Sequence, residues 1–340
     1  MNTEQNPEII AERIGRIGYL TLSKPKTLNA LTLSMIRLLE QGLLQHEQDT
    51  AVEAIVIRSN SERAFCAGGD MKHIRSLSID AAFEEIESFF SEEYALNLHI
   101  ANCKKPYIAL LDGVTMGGGI GLSVHGSHRV VTERALLAMP ETRIGLFPDV
   151  GGSFFLPRLP NRAGWWLAMT AAPVRGAEAV MVGLATHYLA SDNLPAMVEE
   201  LENHTALSVT SIIDSHTTAG DAHKSNTVEF NNSDYSDTLA QRAKWFESDD
   251  IASIRQSLTK TIDAGDNGHM DAQHLRDLLD SASPWSLSMI QSLFARAAGQ
   301  TLEACLANER TAAITAAQHP DFIEGVRAVL VDKDRNPSWS

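Results

Sequence analysis

Residues 113–152 read GVTMGGGIGLSVHGSHRVVTERALLAMPETRIGLFPDVGG, and this stretch decides how the rest of the chain is organised. The apolar run 107–112 leads into it as a strand. Gly113 turns the chain, Gly117, Gly118 and Gly119 follow, residues 120–124 have a helix-compatible pattern, and Gly126 stops them. Glycines at the entry of a helix let a ligand approach the backbone. Unpaired N–H groups and the positive end of the helix then face that ligand. Two anions suit such a turn: a phosphate, or the oxyanion formed when a carbonyl carbon is attacked or its α proton removed. Tight packing is the other use of such a turn. A P-loop requires Gly-Lys-Ser/Thr where Ile120-Gly121 stands, and the glycines give no clean GxGxxG. Beyond a further strand at residues 128–132, the stretch supplies two carboxylates, Glu141 and Asp149.

The same move occurs upstream. Residues 52–58 (VEAIVIR) read as a buried strand, Ala64-Phe65-Cys66-Ala67-Gly68-Gly69-Asp70 as a second glycine turn, and residues 71–77 as a helix. Two turns of this kind can aim two backbone N–H groups at one oxygen, the geometry of an oxyanion hole.

Phe65-Cys66-Ala67-Gly68-Gly69-Asp70, followed by Asp112-Gly113 and Met116-Gly117-Gly118-Gly119, resembles the enoyl-CoA hydratase/isomerase (crotonase) superfamily. Lys24-Pro25-Lys26-Thr27-Leu28-Asn29-Ala30-Leu31 resembles that family's first CoA-contacting loop. The resemblance implies an α/β crotonase-like fold, a core of repeated ββα units with an extended helical C-terminal region. It implies an acyl-CoA thioester bound between the two glycine turns, with the backbone N–H groups of Gly69 and Gly118 as oxyanion donors. Typical hydratases of the superfamily carry one glutamate three residues after the oxyanion glycine and another twenty-three after it. Here the first position is Gly121, which can move no proton, and the second is Glu141. Residues 139–152 (MPETRIGLFPDVGG) and 321–339 (DFIEGVRAVLVDKDRNPSW) resemble the 3-hydroxyisobutyryl-CoA hydrolase branch.

That branch implies hydrolysis of 3-hydroxyisobutyryl-CoA to 3-hydroxyisobutyrate and CoA, a step of valine breakdown, with coenzyme A as part of the substrate and no separate cofactor. Glu141 would act on the carbonyl, either as nucleophile or as the base that activates water. Asp149 would donate a proton, hold the substrate's 3-hydroxyl or orient the water. Glu93 is singled out by the resemblance as a substrate-pocket residue. A hydratase or isomerase with unusual acids, and a non-catalytic acyl-CoA-binding protein, are the competing readings.

Ordinary structural roles stand beside these. Asp149 could cap a helix expected over residues 153–158. Glu93 lies in an acidic helix expected over residues 79–102, whose glutamates suit a solvated face. Arg143 could pair with either acid. Ser123 and His125 do not form a GxSxG elbow and suit helix packing. No HExxH or clustered His/Cys spacing suggests a metal.

The 340 residues allow a core domain over residues 1–200 and a mainly helical region over 201–340, which is expected to cover the site. Helices are expected over 251–262, 272–279, 285–298 and 301–317, and loops over the polar stretch 203–240. A net charge of −15 argues against nucleic acid, whose affinity rests on Lys/Arg contacts to phosphate. CoA phosphates would need local cations, for which Lys24, Lys26 and Lys72 are candidates. Three cysteines without a CxxC suit a reducing compartment. The first residues, MNTEQNPEII, have neither a basic apolar leader nor an Arg-rich character, so a cytoplasmic location is expected. No apolar run approaches the roughly 18 residues of a membrane span. A homo-oligomer is a possible assembly.

Overall fold

Residues 9–22 fold as a hairpin, β1 (Ile9–Ile14) antiparallel to β2 (Ile17–Leu22). The computed structural model describes residues 7–203, 206–219 and 232–340. Residues 1–6, part of the stretch MNTEQNPEII on which the expected location rests, and the polar residues 204–205 and 220–231 lie outside the described part. The chain continues through β3 (Ala54–Ser59), β4 (Ala64–Cys66), β5 (Tyr107–Leu111), β6 (Val114–Met116), β7 (His128–Val131), β8 (Leu136–Ala138), β9 (Val174–Arg175), β10 (His187–Tyr188) and β11 (Thr218–Ala219).

Two sheets result. One runs in the order β1-β2-β3-β5-β7-β10-β11, and the other in the order β4-β6-β8-β9. From β2 to β10 the first sheet is parallel, with an antiparallel strand at each edge. Its register places Tyr19 opposite Val56, Val56 opposite Ile108 and Leu110 opposite Val130. These residues, with Ile17 and Ala54, form one apolar face. Met197 and Leu201 of the helix Leu194–Asn203 cover it, together with Val209, Ile212 and Ile213 of the helix Val209–His216. The alternate residues Leu20, Leu22, Ile55 and Ile57 are buried as well. The helix Leu33–Gln48 packs against β2. Parallel strands covered on both faces read as unbroken apolar runs, which is why AIVI and YIALL carry no alternation.

The chain divides into two compact units. The first is Met1–Gly69, Ala95–Leu137 and Val174–Asn226, and it carries both sheets apart from Ala138 at the end of β8. The second is Asp70–Tyr94, Ala138–Pro173 and Thr227–Ser340, and it is helical. At its centre the helix Ala163–Thr170 (AGWWLAMT) is buried on every side, as a helix without a polar face must be. The helices Asn232–Trp245, His269–Ser281 and Pro284–Arg296 pack on it. Asp250, Ser283 and Thr301 each accept a backbone N–H from the first turn of the helix that follows, which fixes three starts close to those expected. Among the described residues no helix is long and apolar enough to cross a membrane.

Two expectations change. The helix expected over 79–102 begins only at Phe83, and the one expected over 71–77 runs on as Met71–Ile79. Ala81 adopts a left-handed φ of 53°, and Ala82 N–H reaches back to Leu77 O, a C-terminal closure that composition does not reveal. The polar stretch expected as loops contains the helices Val209–His216 and Asn232–Trp245. Ser208 caps the first, and Ile212 and Ile213 bury against the sheet. Leu239 and Trp245 anchor the second, so a few apolar residues at helical spacing outweigh the polar composition.

Candidate active site

In the first unit the three motifs of the resemblance come together. The loop after β2 makes a short 3-10 turn, Pro25–Thr27, and enters left-handed backbone at Leu28 and Asn29. Buried Asn29 holds it: Nδ2 donates to Phe65 O at 2.9 Å and to Ser59 Oγ at 2.7 Å, and Oδ1 accepts Lys24 N–H at 2.8 Å. Ala67 N–H then donates to Leu28 O at 3.0 Å and Leu31 N–H to Gly68 O at 2.8 Å, so the loop is laced to the first glycine turn. The second turn packs on the first. A Cβ on Gly119 would stand 2.5 Å from Cys66 O, a distance real side chains do not adopt, so only glycine permits this approach. Gly118 is the first residue of the helix Gly118–Val124, and its N–H has no partner within the helix. Gly69 pairs with Leu31 in an isolated parallel bridge. Tight packing and a backbone donor without a partner in its own helix therefore occur in the same turn. Lys24, a candidate for CoA phosphate, is paired with Glu8 at 2.6 Å, whereas Lys26 is exposed.

The acids stand in the second unit. Glu141 opens a 3-10 turn, Glu141–Ile144, immediately after Pro140. That turn is gripped by the C-terminal run: a Cβ on Gly325 would stand 2.5 Å from Ile144 C, and Ser283 N–H donates to Thr142 O at 3.0 Å. The two stretches that carry the hydrolase-branch resemblance, far apart in sequence, are thus in direct contact. Glu93, Glu141 and Asp149 are 2 %, 4 % and 5 % exposed. The acidic-face reading of Glu93 is therefore wrong for this residue, whereas Glu84 and Glu87 on the same helix are exposed. Asp149 does not cap a helix. The helix there is Gly152–Phe155, its cap is Gly151 without a side-chain bond, and it passes into a 3-10 turn, Leu156–Arg158. The Asp149 Oδ2 instead accepts the Tyr94 hydroxyl at 2.7 Å. Arg143 pairs with neither acid: its Nη2 reaches Ala171 O at 3.5 Å. Ser123 Oγ donates to Gly119 O and Ile120 O, a packing role.

Electrostatics separates the three carboxyls. Among the described residues no cation pairs with Glu93, Glu141 or Asp149, and an unpaired buried charge is costly, so such groups hold protons instead. Burial, reinforced by the Asp149 charge, pushes Glu93 and Glu141 well above the usual carboxylate range. Burial raises Asp149 as well, to about 6, with the Tyr94 hydroxyl acting in the opposite direction by favouring its charged form. Burial therefore favours the protonated form at all three carboxyls, and the Asp149 charge adds to that push on Glu93 and Glu141. Glu93 Oε1 and Glu141 Oε2 have no hydrogen-bond partner among the described residues, which leaves donor or acceptor capacity for something outside the chain. The Tyr94 bond gives a testable consequence. A hydrogen bond to a charged group contributes about 1.5 kcal/mol or more, and 1.36 kcal/mol is one pKa unit. Tyr94→Phe is thus expected to raise the Asp149 pKa by about one unit and to shift the acid limb of kcat/KM upward by the same amount. An unmoved limb would separate that limb from Asp149.

Sequence reasoning missed Tyr94 and Glu309. Glu309 is fully buried on the helix Leu302–Ala317, and it accepts hydrogen bonds from Gly151 N–H at 2.7 Å, Ser153 N–H at 2.8 Å and Ser153 Oγ. A signal existed: Glu309 falls in the stripe Cys305, Leu306, Ala312, Ala313, Ala316, where a helix of this kind puts only apolar residues.

Comparison with known proteins follows the same lines. The family described as enoyl-CoA hydratase/isomerase matches residues 17–340. The chain is 38% identical over 338 residues to the mitochondrial 3-hydroxyisobutyryl-CoA hydrolase of Rattus norvegicus, covering 98% of this chain and 85% of that protein. It is 39% identical over 345 residues to the Homo sapiens protein of the same description, covering 99% and 85%. Among solved structures, a carnitinyl-CoA dehydratase from Mycobacterium thermoresistibile superposes with a TM-score of 0.85 at 33% identity, covering 98% of this chain and 92% of that one.

Proposed function

Since the chain belongs to the enoyl-CoA hydratase/isomerase family and has its α/β crotonase fold, it is an acyl-CoA enzyme by kinship, and we propose that its reaction is hydrolysis of 3-hydroxyisobutyryl-CoA. The observation that carries this reading is the acid set. Gly121 stands where a hydratase of the resemblance has its first glutamate, while Glu93, Glu141 and Asp149 form a buried, cation-free cluster. The full-length likeness to hydrolases of that substrate supports the choice of acyl group.

In this reading the N–H groups of Gly69 and Gly118 receive the thioester oxygen as it becomes an oxyanion. One such donor is typically worth about 3 kcal/mol. Glu141 reacts only as a carboxylate, the form that burial disfavours, and the neighbouring Asp149 is able to take its proton. As nucleophile, Glu141 then forms a mixed anhydride and expels the CoA thiolate, which takes the proton from Asp149. Water hydrolyses the anhydride and restores Glu141. As general base, Glu141 would instead deprotonate the attacking water. In either case one water is consumed, and 3-hydroxyisobutyrate and CoA leave. Glu93, buried and with one oxygen unpartnered among the described residues, suits the substrate's 3-hydroxyl.

A hydratase or dehydratase is the second reading, favoured by the likeness to the carnitinyl-CoA dehydratase. Two substrates separate the readings. With 3-hydroxyisobutyryl-CoA, a thiol-reactive dye should report rapid CoA release, while crotonyl-CoA should keep its conjugated double bond. Loss of that double bond without thiol release would reject the hydrolase.

A further inference from the structure

We propose that Glu309 is a positioning residue of this reaction: from the helix Leu302–Ala317 it fixes the turn at residues 149–153 and thereby sets where the Asp149 carboxyl stands. The inference rests on the reading of Asp149 given above. Its basis is a set of contacts. One carboxyl oxygen, Oε2, accepts Gly151 N–H; the other, Oε1, accepts both Ser153 N–H and Ser153 Oγ. Between these two anchored residues, Gly152 N–H closes back on Asp149 O at 2.7 Å. The Glu309 carboxyl therefore clamps the residues immediately following Asp149 from both ends.

The backbone explains why a clamp is needed. Val150 has a φ of 50° and Gly151 a φ of 86°, two consecutive residues in the left-handed region. For a β-branched valine this conformation is strained, and strained residues persist only where their surroundings over-determine them. The same turn carries Asp149, whose carboxyl must meet the Tyr94 hydroxyl. Relaxation of Val150 toward ordinary backbone would swing that carboxyl away. A buried carboxyl is an unfavourable choice for a merely space-filling position, since alanine occupies its neighbours in the stripe. Two acceptor oxygens on one rigid fork, facing donors on both sides, are what alanine, leucine or glutamine cannot supply.

Glutamine is the informative replacement, because it keeps the volume and loses one acceptor. Either the Gly151 or the Ser153 donors then face an NH2 group. Burial pushes Glu309 up to about 8 while the Gly151 and Ser153 donors favour its charged form, so the exchange removes one acceptor and, where Glu309 is ionised, a charge. The groups facing Asp149 are Tyr94, Glu93, Glu141 and Glu309 itself. Three of them are untouched by Glu309→Gln, and loss of a Glu309 charge would by itself lower the Asp149 pKa, so an upward shift of the acid limb reports geometry.

The test is a double-mutant cycle on the full chain with 3-hydroxyisobutyryl-CoA, using Glu309→Gln, Asp149→Asn and the pair, with a thermal melt for each. Glu309→Gln is expected to lower kcat by about 10- to 100-fold, as a small displacement of a reacting group does, and to move the acid limb of kcat/KM upward. In the Asp149→Asn background it should change kcat by less than about twofold, because residues acting through one another are not additive. Equal losses in both backgrounds, or an unchanged kcat in the single variant, would overturn the proposal and leave the Asp149 reading intact. An Asp149→Asn enzyme of normal activity would overturn both. Should Glu309→Gln fail to fold, Ser153→Ala, which removes one donor and keeps both backbone bonds, enters the same cycle with a smaller expected loss, and additivity there overturns the proposal equally.

Discussion

Glu141→Gln is expected to lower turnover of 3-hydroxyisobutyryl-CoA by about 10²–10⁴-fold, the range associated with a positioned acid or base, while leaving KM and acyl-CoA binding little changed. Glutamine has nearly the shape of glutamate, and burial favours the uncharged form of Glu141, so the exchange is a mild one for the buried cluster. Folding should consequently be preserved, and a thermal melt close to that of the parent would separate loss of chemistry from loss of structure. The drop in kcat with steady KM would mark a group that acts in the transition state rather than in binding. Thiol release under substrate saturation measures the first quantity, and calorimetric titration with the substrate on the inactive variant measures the second. Hydroxylamine added to the parent enzyme would distinguish nucleophile from base, since a mixed anhydride on Glu141 would be trapped as a hydroxamate on that residue. Turnover near the parent level in Glu141→Gln would remove Glu141 from the reaction.

Asp149→Asn is the second large effect. With a pKa of about 6, Asp149 is ionised above that value and protonated below it. If the ionised form takes the proton of Glu141, kcat/KM of the parent enzyme is full above about pH 7 and falls as the pH drops through about 6, since kcat/KM reports the free enzyme. Asparagine can take no proton, so the variant should lose about 10²-fold or more in kcat and show no limb near that pH. Isobutyryl-CoA, which lacks the 3-hydroxyl, divides the remaining roles. Equal losses on both substrates indicate proton transfer, whereas a loss confined to the hydroxylated substrate indicates that Asp149 recognises the hydroxyl. A limb that survives in Asp149→Asn would assign the titration to another group.

The sequence by itself determined the family, because its signals are local. Each glycine turn sits between a strand and a helix within a few residues, and turn chemistry of that kind can be read without neighbours. The strands of the parallel sheet were equally legible, since burial on both faces leaves unbroken apolar runs such as AIVI and YIALL. Glu141 and Asp149 were found because a motif surrounds them. Their protonation was not legible. It depends on how many cations share the buried cluster, and that count is a property of packing. Glu93 shows the difference: by composition it belongs to an acidic helix face, yet it is 2 % exposed while Glu84 and Glu87 stay in solvent. A helix turns about 100° per residue, so one step in sequence decides between core and water, and only the packed structure says which face is inward.

Where the helix Met71–Ile79 ends, and the helices within the polar stretch, were hidden for a related reason. They are decided by a backbone closure and by a few buried anchors, not by average polarity. Glu309 lies furthest from what sequence alone can give. Its apolar stripe marks it as anomalous, but its partners, Gly151 and Ser153, stand more than 150 positions away in the chain. Local chemistry, written in consecutive residues, identified the family and the acids. Tertiary structure alone decided which acids are buried away from cations and which side chain bonds the turn after Asp149, because both follow from long-range burial and from hydrogen bonds that the order of residues does not encode.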